Sequence, residues 1–129
     1  MSQVKIYGVK DRLDPVKAER SDAIHSCLIE ALSLPPGKRF HRFIGLEHSD
    51  FYYPPDRSDR YTIVELSMFE GRSAEAKKEL IRLLFDRLNS YFSIPRSDIE
   101  ITIFETPKHN WGIRGLPGDE LGLGYEVEV

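Results

Sequence analysis

The chain opens on an alternation. Over residues 2–9, Val4, Ile6 and Gly8 fall on one side and Lys5 and Tyr7 on the other, the period of a half-buried strand. Asp14 followed by Pro15 reads as a helix start, an N-cap with proline at the first helical position. Apolar positions at Val16, Ala23, Ile24, Cys27, Leu28, Ala31 and Leu32 then predict one apolar stripe on a helix over about 15–33. Pro35-Pro36-Gly37 stops it, and Phe40, Phe43, Ile44 and Leu46 predict a second strand. Residues 48–60 are polar and turn-rich around Phe51-Tyr52-Tyr53, and predict a projecting hairpin or long loop that packs over a neighbouring subunit. Residues 61–69 predict a third strand. Ser73 caps a helix over about 74–92 that buries Leu80, Leu83, Leu84, Leu88 and Phe92. Residues 99–104 alternate strictly, a glycine-rich stretch follows, and Tyr125–Val129 alternates as a short last strand.

The two halves repeat. A shift of 60 residues lays Val4 on Val64, Ile6 on Leu66, Ile24 on Leu84 and Leu28 on Leu88, and His41 falls on Ile101. The helix exits match as well, Leu32-Ser33-Leu34-Pro35 against Phe92-Ser93-Ile94-Pro95. Repeats fix architecture. These predict an α+β domain of two β-α-β units, each with two parallel strands joined by a right-handed helical crossover. The units form a four-stranded mixed sheet with two helices on one face, plus short extra strands. One domain spans 1–129, with repeat one at about 2–47, an insertion at about 48–60, repeat two at about 61–105 and a C-terminal loop and strand at 106–129. The helix-free sheet face needs cover, and a symmetric oligomer supplies it.

Composition narrows the partners. A net charge of −3 argues against nucleic acid, which requires a basic face. No apolar run approaches the length of a membrane span, and no secretory leader opens the chain. The single cysteine, Cys27, excludes an intrachain disulfide and points to a reducing, cytoplasmic compartment. It lies on the apolar helix stripe as an inert thiol. His25, His41, His48 and His109 have no metal-ligand spacing, and no cofactor motif is present, so neither metal nor cofactor is expected.

Three stretches carry a resemblance: Leu34-Pro35-Pro36-Gly37-Lys38-Arg39-Phe40, Glu70-Gly71-Arg72-Ser73, and His109-Asn110-Trp111-Gly112-Ile113-Arg114-Gly115. With the repeats, they make the chain resemble the tautomerase superfamily, in the branch that contains malonate semialdehyde decarboxylase. The resemblance spans nearly the whole chain. It implies a tautomerase (MIF-like) fold and a homotrimer with sheets facing inward around a threefold axis. It places the active sites near the first residue, at subunit boundaries. It also implies an N-terminal proline as acid, base or nucleophile, and arginines that bind a small carboxylated substrate. The sequence departs from that pattern at three positions. Ser2 stands at the proline position, Lys38 where the decarboxylase has an acidic residue, and Glu70 in place of the first arginine of an Arg-x-Arg pair whose second is Arg72.

The candidate site follows from these matches. Ser2, freed by loss of Met1, would offer an α-amine with a pKa near ~8, within reach of a base's working range; otherwise it is a plain strand residue. Arg72 suits bidentate carboxylate binding near a helix N-terminus, or is a solvated turn arginine. Lys38 and Arg39 add positive potential or simply form an exposed turn. Phe40 is a pocket wall or ordinary core. Glu70 is a base beside Arg72 or its surface ion-pair partner. Trp111 and Arg114 form a substrate wall with a cation, or pack a subunit interface. The expected activity is tautomerase-like or lyase-like chemistry on a small carboxylated keto or enol compound; the alternative is an inactive trimeric protein that binds small anions or partners on the same scaffold.

Overall fold

The structure, a computed structural model, describes residues 2–122 and residue 127. Its elements follow the repeat. Strand β1 (Ser2–Val9) leads into a short helix α1 (Lys10–Leu13), a 3-10 turn at Asp14–Val16 and the long helix α2 (Lys17–Leu32). Strand β2 (His41–Leu46) closes the first unit. Strand β3 (Thr62–Phe69), helix α3 (Ala74–Phe92) and strand β4 (Ile99–Thr106) form the second. A small hairpin follows, β5 (Gly112–Ile113) with β6 (Leu116–Pro117).

The sheet order is β2-β1-β3-β4. β1 runs parallel to β2 and β3 parallel to β4, while β1 and β3 meet antiparallel, Ser2 opposite Met68 and Gly8 opposite Thr62. Side chains alternate across the sheet. Val4, Ile6, Val64, Leu66 and Met68 therefore point under the helices, where Ile24, Leu28, Leu80, Leu84 and Leu88 complete the core. Full burial of each such side chain contributes about 1.5–3 kcal/mol. The other face presents Gln3, Lys5, Tyr7, Ile63, Glu65 and Ser67, all half-buried and without a covering layer. Across it Lys5 pairs with Arg42 on one side and Glu65 on the other.

Both long helices end alike. Ser33 and Ser93 adopt the left-handed conformation at φ 55°, and their N–H groups close on Ile29 O and Asn89 O at 3.0 Å. Ser73 caps α3 as expected, its Oγ accepting from Ala76 N at 3.1 Å.

The first helical stretch differs from the expectation. It begins at Lys10, directly off β1, and Asp14 is not an N-cap. Asp14 instead accepts from Lys10 Nζ and lies 2.9 Å from the ammonium groups of both Lys10 and Lys17, and Pro15 sits in the 3-10 turn that joins α1 to α2. The segment 48–60 is not a hairpin. After a 3-10 turn at His48–Asp50 it runs as a loop folded onto its own chain. Phe51 and Tyr53 stack at 5.8 Å and both pack on Tyr61, at 5.3 and 5.5 Å. Buried Asp98 accepts from Ser58 N at 2.9 Å and from the Ser58 hydroxyl. Tyr52 stands out, 88% exposed. The expected last strand, 125–129, lies outside the described residues except for Val127, which packs on Phe69.

Candidate functional site

The start of β1 lies between two groups of the expected site residues. On one side the chain enters β2, where Val4 N donates to Phe40 O at 2.9 Å. A cavity of about 470 Å³ opens there, lined by Gln3, Arg39, Phe40, His41 and Arg42. Arg39 and Phe40 are expected site residues; Gln3, His41 and Arg42 are additions from the fold. Arg42 Nη2 donates to Gln3 Oε1 at 3.1 Å, tying the two strands at the cavity. Lys38 is half-buried just before this segment, its N–H donating to Pro35 O.

On the other side β3 and β4 end together. Glu70 is exposed, its N–H donates to Thr106 O at 3.0 Å, and among the described residues it forms no ion pair. Arg72 is buried rather than solvated, 4% exposed, with Nη1 donating to Phe69 O at 3.3 Å. Trp111 turns inward on its own chain. Its ring meets Phe69 edge-on at 5.2 Å and 83°, and Nε1 donates to Thr106 Oγ1 at 2.7 Å. A second cavity of about 440 Å³ lies over this loop, bordered by His109, Trp111 and Leu116. Arg114 is exposed at the apex of the β5–β6 turn, where Arg114 (φ 50°) and Gly115 (φ 84°) both take positive φ, the signature of a tight hairpin turn.

Ser2 is buried between these groups, and its Oγ has no hydrogen-bond partner. Alternation along β1 puts the Ser2 side chain on the helix side and Gln3 on the opposite side. The Ser2 hydroxyl therefore turns away from the open face that Gln3 presents.

Beneath the first cavity, α2 carries polar side chains on a face the pattern assigned to core. Ser21 and His25 are buried, one turn apart. Ser21 Oγ lies 2.8 Å from His41 Nδ1, and His25 Nε2 donates to Pro36 O at 2.7 Å. Arg39 Nη1 donates to Asp22 Oδ1 at 2.6 Å and to Ser21 Oγ at 3.3 Å. Burial, with His25 and Arg39 close by, pushes the His41 pKa down to about 4, so the ring is neutral at pH 7. Cys27 is buried and desolvated, its pKa pushed up to about 11, which removes it as a nucleophile at neutral pH. Among the described residues no His, Cys, Asp and Glu side chains cluster to hold a metal ion, and no helix is long and apolar enough to cross a membrane.

The chain and its fold have known counterparts. The family model described as "Tautomerase enzyme" (Tautomerase_2) matches residues 38–114. The probable tautomerase YusQ of Bacillus subtilis is 26% identical over 116 residues, 86% of this chain and 91% of that protein. The 2-hydroxymuconate tautomerase of Comamonas testosteroni is 38% identical over 58 residues, which is 92% of that protein but 45% of this chain, about the length of one repeat. Among solved structures, native fused 4-OT superposes with a TM-score of 0.82 at 18% identity, covering 94% of this chain and 99% of that one. Malonate semialdehyde decarboxylase superposes at 0.76 and 18% identity, covering 95% and 92%. The matched span runs from Lys38, beside the first cavity, to Arg114 in the hairpin turn, takes in more than half of the sequence, and joins both sides of the sheet end: the chain belongs to the tautomerase family.

Proposed function

We propose that the protein tautomerises a small carboxylated keto or enol compound in the cavity at the start of β1. The observation that carries this reading is that cavity's lining, two guanidinium groups, Arg39 and Arg42, with the Phe40 ring, beside the first residues of the chain. A carboxylate is matched by a guanidinium fork, and an aromatic wall suits the carbon skeleton. The α-amine of Ser2, once Met1 is removed, serves as the base: it takes the enol hydroxyl proton and returns one to the adjacent carbon, so the net change moves one proton from oxygen to carbon. An amine with a pKa near ~8 can do both at neutral pH. Lys38 adds positive charge beside the cavity, and Arg72 and Glu70 set the electrostatics of the other side, with Trp111 and Arg114 bordering it.

In this reading the chain is one domain that works as a homotrimer in the cytoplasm, with the open sheet faces turned toward the axis and each cavity completed at a subunit boundary. The fused 4-OT structures described as trimers, with TM-scores of 0.80 and 0.78, support that assembly. The row Lys5–Arg42–Glu65 supports it too, since it offers both charge signs to a copy of itself. No cofactor enters the scheme.

A second reading is favoured by one observation. The Ser2 hydroxyl is buried without a partner, so position 2 supplies no side-chain base. A scaffold that only binds carboxylates would look the same. The test is the intact mass of untagged protein together with ketonisation of enol phenylpyruvate. Loss of Met1 and activity abolished by blocking the amine support the enzyme. Met1 retained with enols unchanged, while small carboxylates still bind, supports the binding protein.

A further inference from the structure

Three polar side chains of α2, Ser21, Asp22 and His25, act on one short stretch of chain. His25 takes Pro36 O, Ser21 takes His41 Nδ1, and Asp22 and Ser21 together take Arg39 Nη1. Burying such groups is costly unless they are bonded. What this set fixes is the run 36–41, which carries the cavity's Arg39, Phe40 and His41.

The proton positions follow from the acceptors. Pro36 O can only accept, so His25 carries hydrogen on Nε2. Arg39 can only donate, so Ser21 Oγ accepts from it and keeps one lone pair and its own hydrogen for the bond with His41 Nδ1. Among the described residues both hydrogen bonds of the Arg39 side chain fall on Nη1, which leaves the Nε–Nη2 edge of the fork unused there. That edge is the one a carboxylate grips with two parallel hydrogen bonds.

We infer that Ser21 and His41 are positioning residues for Arg39: the relay from His41 through Ser21 holds Nη1 so that the other edge of the guanidinium faces the cavity. The inference rests on the carboxylate site proposed above. Asp22 supplies the charge that keeps Arg39 in place, and Ser21 sets its rotation. His41 matters through its bond at Nδ1. An Asn side chain presents an oxygen at nearly the same reach from the backbone, so His41→Asn preserves the relay and His41→Leu destroys it.

Two measurements on the full-length protein test this. The first is nitrogen-15 NMR of the Arg39 guanidinium: an anchored Nη1 gives separate Nη signals, and a freely rotating group gives one averaged signal. The second is the kinetics of enol phenylpyruvate. Ser21→Ala and His41→Leu are expected to average the Arg39 signals and raise KM about five- to tenfold with kcat little changed, the loss of one hydrogen bond in a site that keeps its ion pair. His41→Asn is expected to retain separate signals and to have a KM well below that of His41→Leu. Separate Arg39 signals and unaltered KM in both Ser21→Ala and His41→Leu would overturn the inference. If the wild type leaves the enol unchanged, the proposed function fails, and the Arg39 signals alone decide the positioning role.

Discussion

Gly118→Ala is a sharp test of how the Trp111 loop is held. Gly118 is buried, and its N–H donates to Trp111 O at 2.7 Å. A Cβ added there would run into the Lys108 carbonyl oxygen and come within 3.1 Å of Trp111 Cβ. That carbonyl cannot simply swing aside, because it accepts Trp111 N at 3.1 Å. Overpacking of this kind costs about 1–3 kcal/mol. Separation of the two segments also weakens the Gly118–Trp111 bond, a further ~1 kcal/mol. The expected loss is therefore ~2–4 kcal/mol, concentrated in the hairpin and not in the four-stranded sheet. Trp111 is the sole tryptophan in the sequence, so its fluorescence reports the loop directly. In the alanine variant emission should move to the red and acrylamide quenching should rise, as the indole leaves Phe69 and Thr106. In urea the tryptophan signal should change ahead of the far-ultraviolet circular dichroism signal, where the wild type gives one midpoint. An alanine variant with wild-type emission, quenching and midpoint would refute the packing argument.

Three further outcomes are expected. Because the folded pKa of His41 is about 4 against 6.5 for the free side chain, the unfolded chain binds a proton first as pH falls. Its contribution is complete above pH 6.5 and declines toward pH 4; the full shift is worth ~3 kcal/mol, cut to ~1–2 kcal/mol by solvent screening at a half-buried ring, and urea titrations of His41→Asn should have that much less pH dependence over this range. Leu84→Ala, at a fully buried core position between sheet and helices, should lower unfolding free energy by ~2–5 kcal/mol in the same assay. Asp98→Ala removes both bonds that tether Ser58, at ~1–3 kcal/mol, and limited proteolysis should then cut first within 48–60.

Periodicity made much of the scaffold legible. The α3 limits and the third and fourth strands follow directly from alternation, a serine cap and a proline stop, because each has one dominant local signal. The start of the first helix did not, since Lys10-Asp11-Arg12 has no apolar period and the turn is held by Leu13 in the core and by the Lys10–Asp14–Lys17 ion pairs. The loop 48–60 has an aromatic content that fits a partner surface as well as an internal stack. Its fold depends on Asp98, 40 positions away from Ser58, and local pattern cannot see that contact.

The site was legible only in part, for a reason that the repeat itself exposes. The 60-residue shift sets Arg20 against Leu80, Ser21 against Ile81, His25 against Phe85 and His41 against Ile101. In the second unit Leu80, Phe85 and Ile101 do what the architecture asks and pack the core. In the first unit the same positions carry buried or half-buried polar groups, three of which keep an orphaned nitrogen: Arg20 Nε, His25 Nδ1 and His41 Nε2. An unsatisfied buried polar atom costs about 1–3 kcal/mol. A repeat unit that needed only to fold would do better with the apolar set its twin already uses. Ser21 and His25, with their neighbour Asp22, also share one spatial focus, since all three bond within residues 36–41. The asymmetry therefore marks the first unit's helix exit as the place where stability gives way to positioning. It also explains why a reading by apolar stripe, which counted Ile24, Cys27 and Leu28 and passed over the nearby Ser21 and His25, recovered the helix without recovering its purpose.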